Sequence, residues 1–238
     1  MLPNNFLYKS EVAINDAISI RIPSVGEILN NEEDYYNLVS LLTAMPIDLM
    51  VQLDDLGIDF TEINEYELFI LLSGALKDID MSLVFSNLDF SKFEPTVNQD
   101  TGSIFLINEE NNVVIDRAVH DQIARVLRKI HHLEKNMKKP ANKESKDYMM
   151  GKARKKLKGN KNRQWDSQLE SLIVAMVNTE QYKYNYEETK NISIYQFNES
   201  VQQIIHKVDY DNKMRGIYAG TLDSKSLSRD DLNWLIHK

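Results

Sequence analysis

The densest carboxylate group in the chain is Asp54-Asp55 with Asp59, a spacing at which acids could shift one another's pKa for proton transfer. It falls at the end of a helical pattern before Gly57, where such acids read as solvated surface. His131 and His132 are adjacent, so on a helix they point about 100° apart and cannot chelate one ion as an i, i+4 pair would. His120 lies too many turns away to complete a ligand set. Asp209-Tyr-Asp211 opens like a calcium loop, but Met214 stands where that loop needs glycine, and no twelfth-position Glu follows. No G-x-S-x-G, P-loop or G-x-G-x-x-G occurs, and the glycines are scattered singly. The absence of cysteine removes thiol nucleophiles, thiolate metal sites and disulfides, and suits a reducing interior. These residues predict no enzymatic activity, no cofactor and no metal.

One charge pattern does stand out. The stretch from Arg125 to Arg163 holds fifteen of the 28 Lys and Arg against three acids, a net +12, while the remainder nets −20. An acidic body is thus crossed by a basic bridge that the overall −8 conceals. About a dozen cations in one segment could neutralise phosphates and release counterions. Tyr148 is the one aromatic among residues 143–163, however, and no nucleic-acid fold motif encloses the stretch, while the acidic body would repel a polyanion. Docking on acidic protein, within the chain, in a partner or in another copy of the chain, is favoured over a plain solvated linker, and nucleic acid ranks last. The candidate partner-binding residues are Arg125, Arg128, Lys129, Lys152, Arg154, Lys155, Lys156, Lys158, Lys161 and Arg163.

The elements that carry these residues follow the pattern of a mainly α protein with one small β-hairpin or small sheet. Four regions are expected: an acidic helical N-terminal region (1–100), a hairpin plus amphipathic helix (101–142), a basic linker or arm (143–163) and a C-terminal helical subdomain (164–238). Ser24-Val-Gly-Glu27, Asn185-Tyr-Glu-Glu188 and Ser193-Ile-Tyr-Gln196 read as capping boxes, and Asn31, Thr61, Asp116 and Ser228 as further helix starts. Ile104–Ile107 and Val113–Ile115, around a polar turn, predict the hairpin, with Ile14–Ile22 as a possible third strand. From Asp116, Val119, Ile123, Val126, Leu127, Ile130 and Met137 form one stripe ending at Pro140, with Arg117, Arg125, Arg128 and Lys129 facing away. Ile194, Phe197, Val201, Ile204 and Ile205 face a core, a separate helix spans Met214–Tyr218, and Trp165 and Trp234 are the expected core anchors. The longest apolar block, Leu68 to Leu72, is far short of the ~20 residues a spanning helix needs, and no signal peptide is evident. A cytoplasmic protein without membrane partners is expected.

The order of features is also familiar. Pro46-Ile-Asp-Leu-Met50 and Gly57-Ile-Asp59 precede Arg128-Lys-Ile-His-His132 and the Lys-rich stretch; Tyr184-Asn-Tyr186, Ile194-Tyr-Gln-Phe197, Gly216-Ile-Tyr-Ala-Gly220 and Asn233-Trp234 follow. In this order the chain resembles small proteins from the tail-gene clusters of phages and prophages of Gram-positive bacteria, most of all tail assembly chaperones. The resemblance implies a non-enzymatic protein in the host cytoplasm that shields the tape-measure protein and recruits tail-tube subunits. A structural component of the tail or neck is the alternative, and a nucleic-acid-binding regulator the weaker one. The family supplies no motif from which binding residues carry over to positions in this sequence.

Overall fold

The computed structural model describes residues 5–86, 88–99, 102–160 and 165–235. Strands β1 (Glu11–Ala13) and β2 (Ser19–Arg21) pair antiparallel, with Val12 opposite Ile20. Asn15 makes the turn between them, its Oδ1 accepting the N–H groups of Ala17 and Ile18. Ser24 then opens α1 (Val25–Leu29): its Oγ accepts the Glu27 N–H, and the Glu27 carboxylate accepts the Ser24 N–H. Helix α2 (Glu32–Leu42) follows at Asn31, with acids in its first turn but no bond from the Asn31 side chain.

Pro46–Leu49 makes a single 3-10 turn that runs into α3 (Met50–Asp55), which Gly57 terminates at φ 75°, a left-handed conformation that glycine adopts without strain. Helix α4 (Glu65–Leu76) starts three residues later than the expected Thr61 cap. Asn64 supplies the capping box with Glu67, while Thr61 bonds back to Asp59. The expected hairpin is present as β4 (Ile104–Asn108) and β5 (Val113–Ile115). Its third strand is β3 (Glu94–Val97), and Ile14–Ile22 does not join, because β2 is paired to β1. Pro95 fits in β3 because that strand lies at the edge of its sheet, where a missing N–H donor is tolerated.

Asp116 caps α5 (Arg117–His131), which ends at His132 in the left-handed conformation rather than at Pro140. Met137 is therefore off the stripe and 64% exposed. Residues 143–160, expected as a linker or arm, form the long helix α6 (Lys143–Asn160). Helix α7 (Gln168–Val177) and helix α8 (Tyr186–Asn191) follow, and α9 (Ile194–Tyr218) runs unbroken through the expected boundary at Met214. The i, i+4 pairs Lys207–Asp211 and Asp209–Lys213 support that continuity. Ser228 bonds with Asp231 but starts no helix.

The main core is shared by both ends of the chain: Val12, Ile20, Val25, Ile28, Phe69, Ile123, Leu127 and Phe197 all belong to it. Each such fully buried side chain contributes roughly 1.5–3 kcal/mol of transfer free energy. The joint is closest at α1 and α8, where the Val25 N–H donates to the Ile192 carbonyl and the Ile194 N–H to the Pro23 carbonyl. A Cβ on Gly26 would lie 2.7 Å from Lys190 Cγ and 3.1 Å from its carbonyl oxygen, so only glycine permits this approach without a shift. A smaller core gathers Ala44, Ile47, Leu53, Phe60 and Leu68 beneath α3 and α4. Trp165 and Trp234 are not anchors; they are 46% and 50% exposed. Ile205, at 58% exposed, also misses the core, and no described residue after Val201 is buried. Among the described residues, no helix is long and apolar enough to cross a membrane.

Candidate functional site

The candidate cations divide between two helices. On α5, Arg125 faces solvent as expected, but Arg128 and Lys129 do not simply face away. Arg128 turns inward, donating 2.5 Å to Glu65 Oε1 and 2.6 Å to the Thr43 carbonyl, and its side chain is only 13% exposed. Lys135 holds the other Glu65 oxygen at 2.5 Å. Burial works to raise the Glu65 pKa, but the bonds from Lys135 and Arg128 outweigh it and keep the carboxyl below its usual value. The Lys129 ammonium lies 4.4 Å from the centroid of the Phe6 ring, a cation–π contact at the margin of the main core. Both residues look solvent-facing by helical phase alone, since their partners lie some sixty and more than a hundred residues away in sequence.

Helix α6 carries the remaining described candidates. One face sits on α3. Arg154 donates to Asp54 at 2.5 Å and Asp55 at 2.7 Å, Lys146 pairs with Asp59 and lies 5.4 Å from the Phe60 centroid, and Met149 and Met150 pack on the smaller core. The hydrogen bond from Lys146, helped by Thr61, holds the Asp59 carboxyl down to about 2. The acids that first suggested proton chemistry are thus the acidic seat of a basic helix. Lys152, Lys155, Lys156 and Lys158 are exposed on the rest of α6. Lys161 and Arg163 lie outside the described residues.

Between α5 and α6 the chain crosses as a strap, residues 133–142, with Asn136 donating to Asp48 at 2.7 Å. Under the strap lies a groove of about 820 Å³, walled by Met45, Pro46, Ile47, Phe60, Ile63 and Tyr66 and rimmed by Lys139, Lys143 and Asp147. Among the described residues no cluster of His, Asp and Glu could hold a metal ion. His131 and His120 serve packing instead. The His131 Nε2 lies 2.8 Å from the buried Tyr35 hydroxyl, and His120 stacks on Phe69 with ring centroids 4.3 Å apart. Burial pushes both imidazoles down to about 4, so each is neutral at pH 7.

Sequence reasoning missed Glu32, which is buried on α2 and receives the Leu169 N–H at 3.0 Å and the Ser167 hydroxyl. It neutralises the N-terminus of α7 from another element, a role with no local signature.

Residues 158–237 match the family model of the YomV second domain, a phage-type family. The match takes in the end of α6 and all of α7, α8 and α9, the C-terminal third of the chain. No curated protein and no solved structure matches.

Proposed function

We propose that the protein is a phage-encoded, non-enzymatic tail assembly chaperone that binds tape-measure or tail-tube proteins during assembly. The observation that carries the reading is α6, an 18-residue cationic helix that leaves Lys152, Lys155, Lys156 and Lys158 to solvent while holding acidic protein surface with its other face. Such a helix engages acidic protein by the contacts it already makes within the chain. The phage-type match over residues 158–237 and the resemblance to tail-cluster proteins supply the biological setting. The acidic remainder argues against a nucleic-acid ligand.

The test has two arms. In cells producing phage tails, the tagged protein should co-purify with tape-measure or tail-tube protein, and a variant with Lys152, Lys155, Lys156 and Lys158 changed to Glu should not. Mature particles, purified away from lysate, should lack it. Presence in those particles would make it a structural component of the tail or neck. Sub-micromolar binding of DNA or RNA at moderate salt, lost in the same variant, would replace protein docking with nucleic-acid binding.

A further inference from the structure

Helix α6 is held in an unusual way. None of its described side chains is buried, and among the helices its main packing is against α3. The ion pairs that fasten its C-terminal half are half-exposed, with Arg154 40% and Asp54 and Asp55 54% and 59% open to solvent. Exposed pairs of this type hold weakly and are screened by salt. Four of the chain's nine methionines meet at the smaller core, Met149 and Met150 from α6 and Met45 and Met50 from the surface beneath it. Methionine is unbranched and polarizable, and surfaces rich in it re-pack against varied apolar partners.

We propose that the α3 surface, with Asp54, Asp55 and Asp59 beside the Met45–Met50 apolar patch, is an exchangeable binding site for a cationic amphipathic helix of a partner protein. Helix α6 is its resident occupant, and it specifies the chemistry of what replaces it. A cation meets Asp59, two flexible apolar side chains one turn later pack on the smaller core, and a guanidinium one turn further on meets Asp54 and Asp55. The strap of residues 133–142 gives the resident helix slack on its N-terminal side, since ten residues of extended chain span up to roughly 33–36 Å. The inference rests on the proposed function only for the partner's being an assembly client; the site itself does not depend on it.

The probe is a fluorescein-labelled synthetic peptide of residues 143–160, titrated with the full-length protein and followed by anisotropy. Wild type should bind it weakly, because the seat is filled and the apparent affinity falls with the fraction that is open. R154E should loosen the resident helix and bind about tenfold tighter by the same relation. D54K/D55K should abolish binding, and raising the salt toward 0.5 M should weaken it. Far-UV circular dichroism and melting temperatures matching wild type establish that the variants are folded. Equal peptide affinity in wild type, R154E and D54K/D55K would overturn the proposal. So would a sedimentation-detected dimer strengthened by R154E, which would assign the seat to a second copy of the chain. Peptide binding as expected, without association with tail proteins, would remove the proposed function and leave the site standing.

Discussion

Arg128 and Glu65 give the sharpest test of the packing described above. Arg128→Met keeps most of the side chain's volume but removes two donors, one from a Glu65 side chain only 7% exposed and one from the Thr43 carbonyl. Breaking a buried pair on one side costs about 3–5 kcal/mol, because the remaining charge is desolvated and unpaired. Lys135 still reaches Glu65, and Glu65 sits in the first turn of α4, so the loss should fall near ~3 kcal/mol. In a chain of this size that corresponds to a melting temperature lower by about 6–12 °C. The assay is urea denaturation followed by far-UV circular dichroism, because both tryptophans are half-exposed and report packing poorly. Glu65→Met combined with Arg128→Met should recover most of the loss, since Lys135 is 42% exposed and can turn to water. The pH dependence sharpens the test. In wild type the folded pKa of Glu65 is depressed, so its contribution is present above the unfolded carboxylate pKa and is lost as pH falls through the folded value. In Arg128→Met burial wins and the pKa rises, so the deficit against wild type should shrink between pH 7 and pH 5. A single variant with an unmoved midpoint, or a double variant no better than the single, would refute the reasoning.

Other consequences can be checked directly. Phe197 is fully buried and Trp165 is 46% exposed, so Phe197→Ala should cost ~3–5 kcal/mol in denaturant melts and Trp165→Ala less than ~0.5. His120 and His131 are depressed to about 4 when folded, so the unfolded chain binds more protons between there and about 6.5; each should remove ~3 kcal/mol of stability as pH drops through that window, and His120→Leu should roughly halve the slope. Amide exchange followed by mass spectrometry should show residues 143–160 opening far more readily than Arg117–His131, and faster still in high salt. Gly26→Ala should destabilise the contact with α8 and accelerate exchange in Tyr186–Asn191, whereas Gly74→Ala, which meets nothing within 4 Å, should not.

What could be read from sequence was local. The boxes at Ser24, Asn185 and Ser193 and the cap at Asp116 each place donor and acceptor within three residues, so the chain states its own bonding there. The β4–β5 hairpin was legible for the same reason, its strands being joined by a short polar turn. What escaped depended on distant partners. Arg128 looks like a surface residue until Glu65 arrives from α4. Trp165 precedes α7 instead of lying on its apolar face, and size alone did not bury it. The basic stretch was visible as charge from the outset, but its seat was not, because Asp54, Asp55 and Asp59 lie about a hundred residues upstream.

The α1–α8 joint also imposes a timetable. Gly26 and Lys190 are separated by 164 residues, and the backbone bonds that close the joint involve Ile192 and Ile194. A ribosome adding about 5–20 residues per second needs roughly 8–33 s to travel that distance. Throughout that interval α1 has α2 beside it but lacks α8, so Val25 and Ile28 are only partly covered. High sequence separation of this sort slows folding, since the loop must be closed before its contacts repay the entropy. The chain therefore spends its synthesis as the kind of half-covered apolar surface that other proteins are made to shield, and its expression should be more sensitive to translation rate than its final stability suggests.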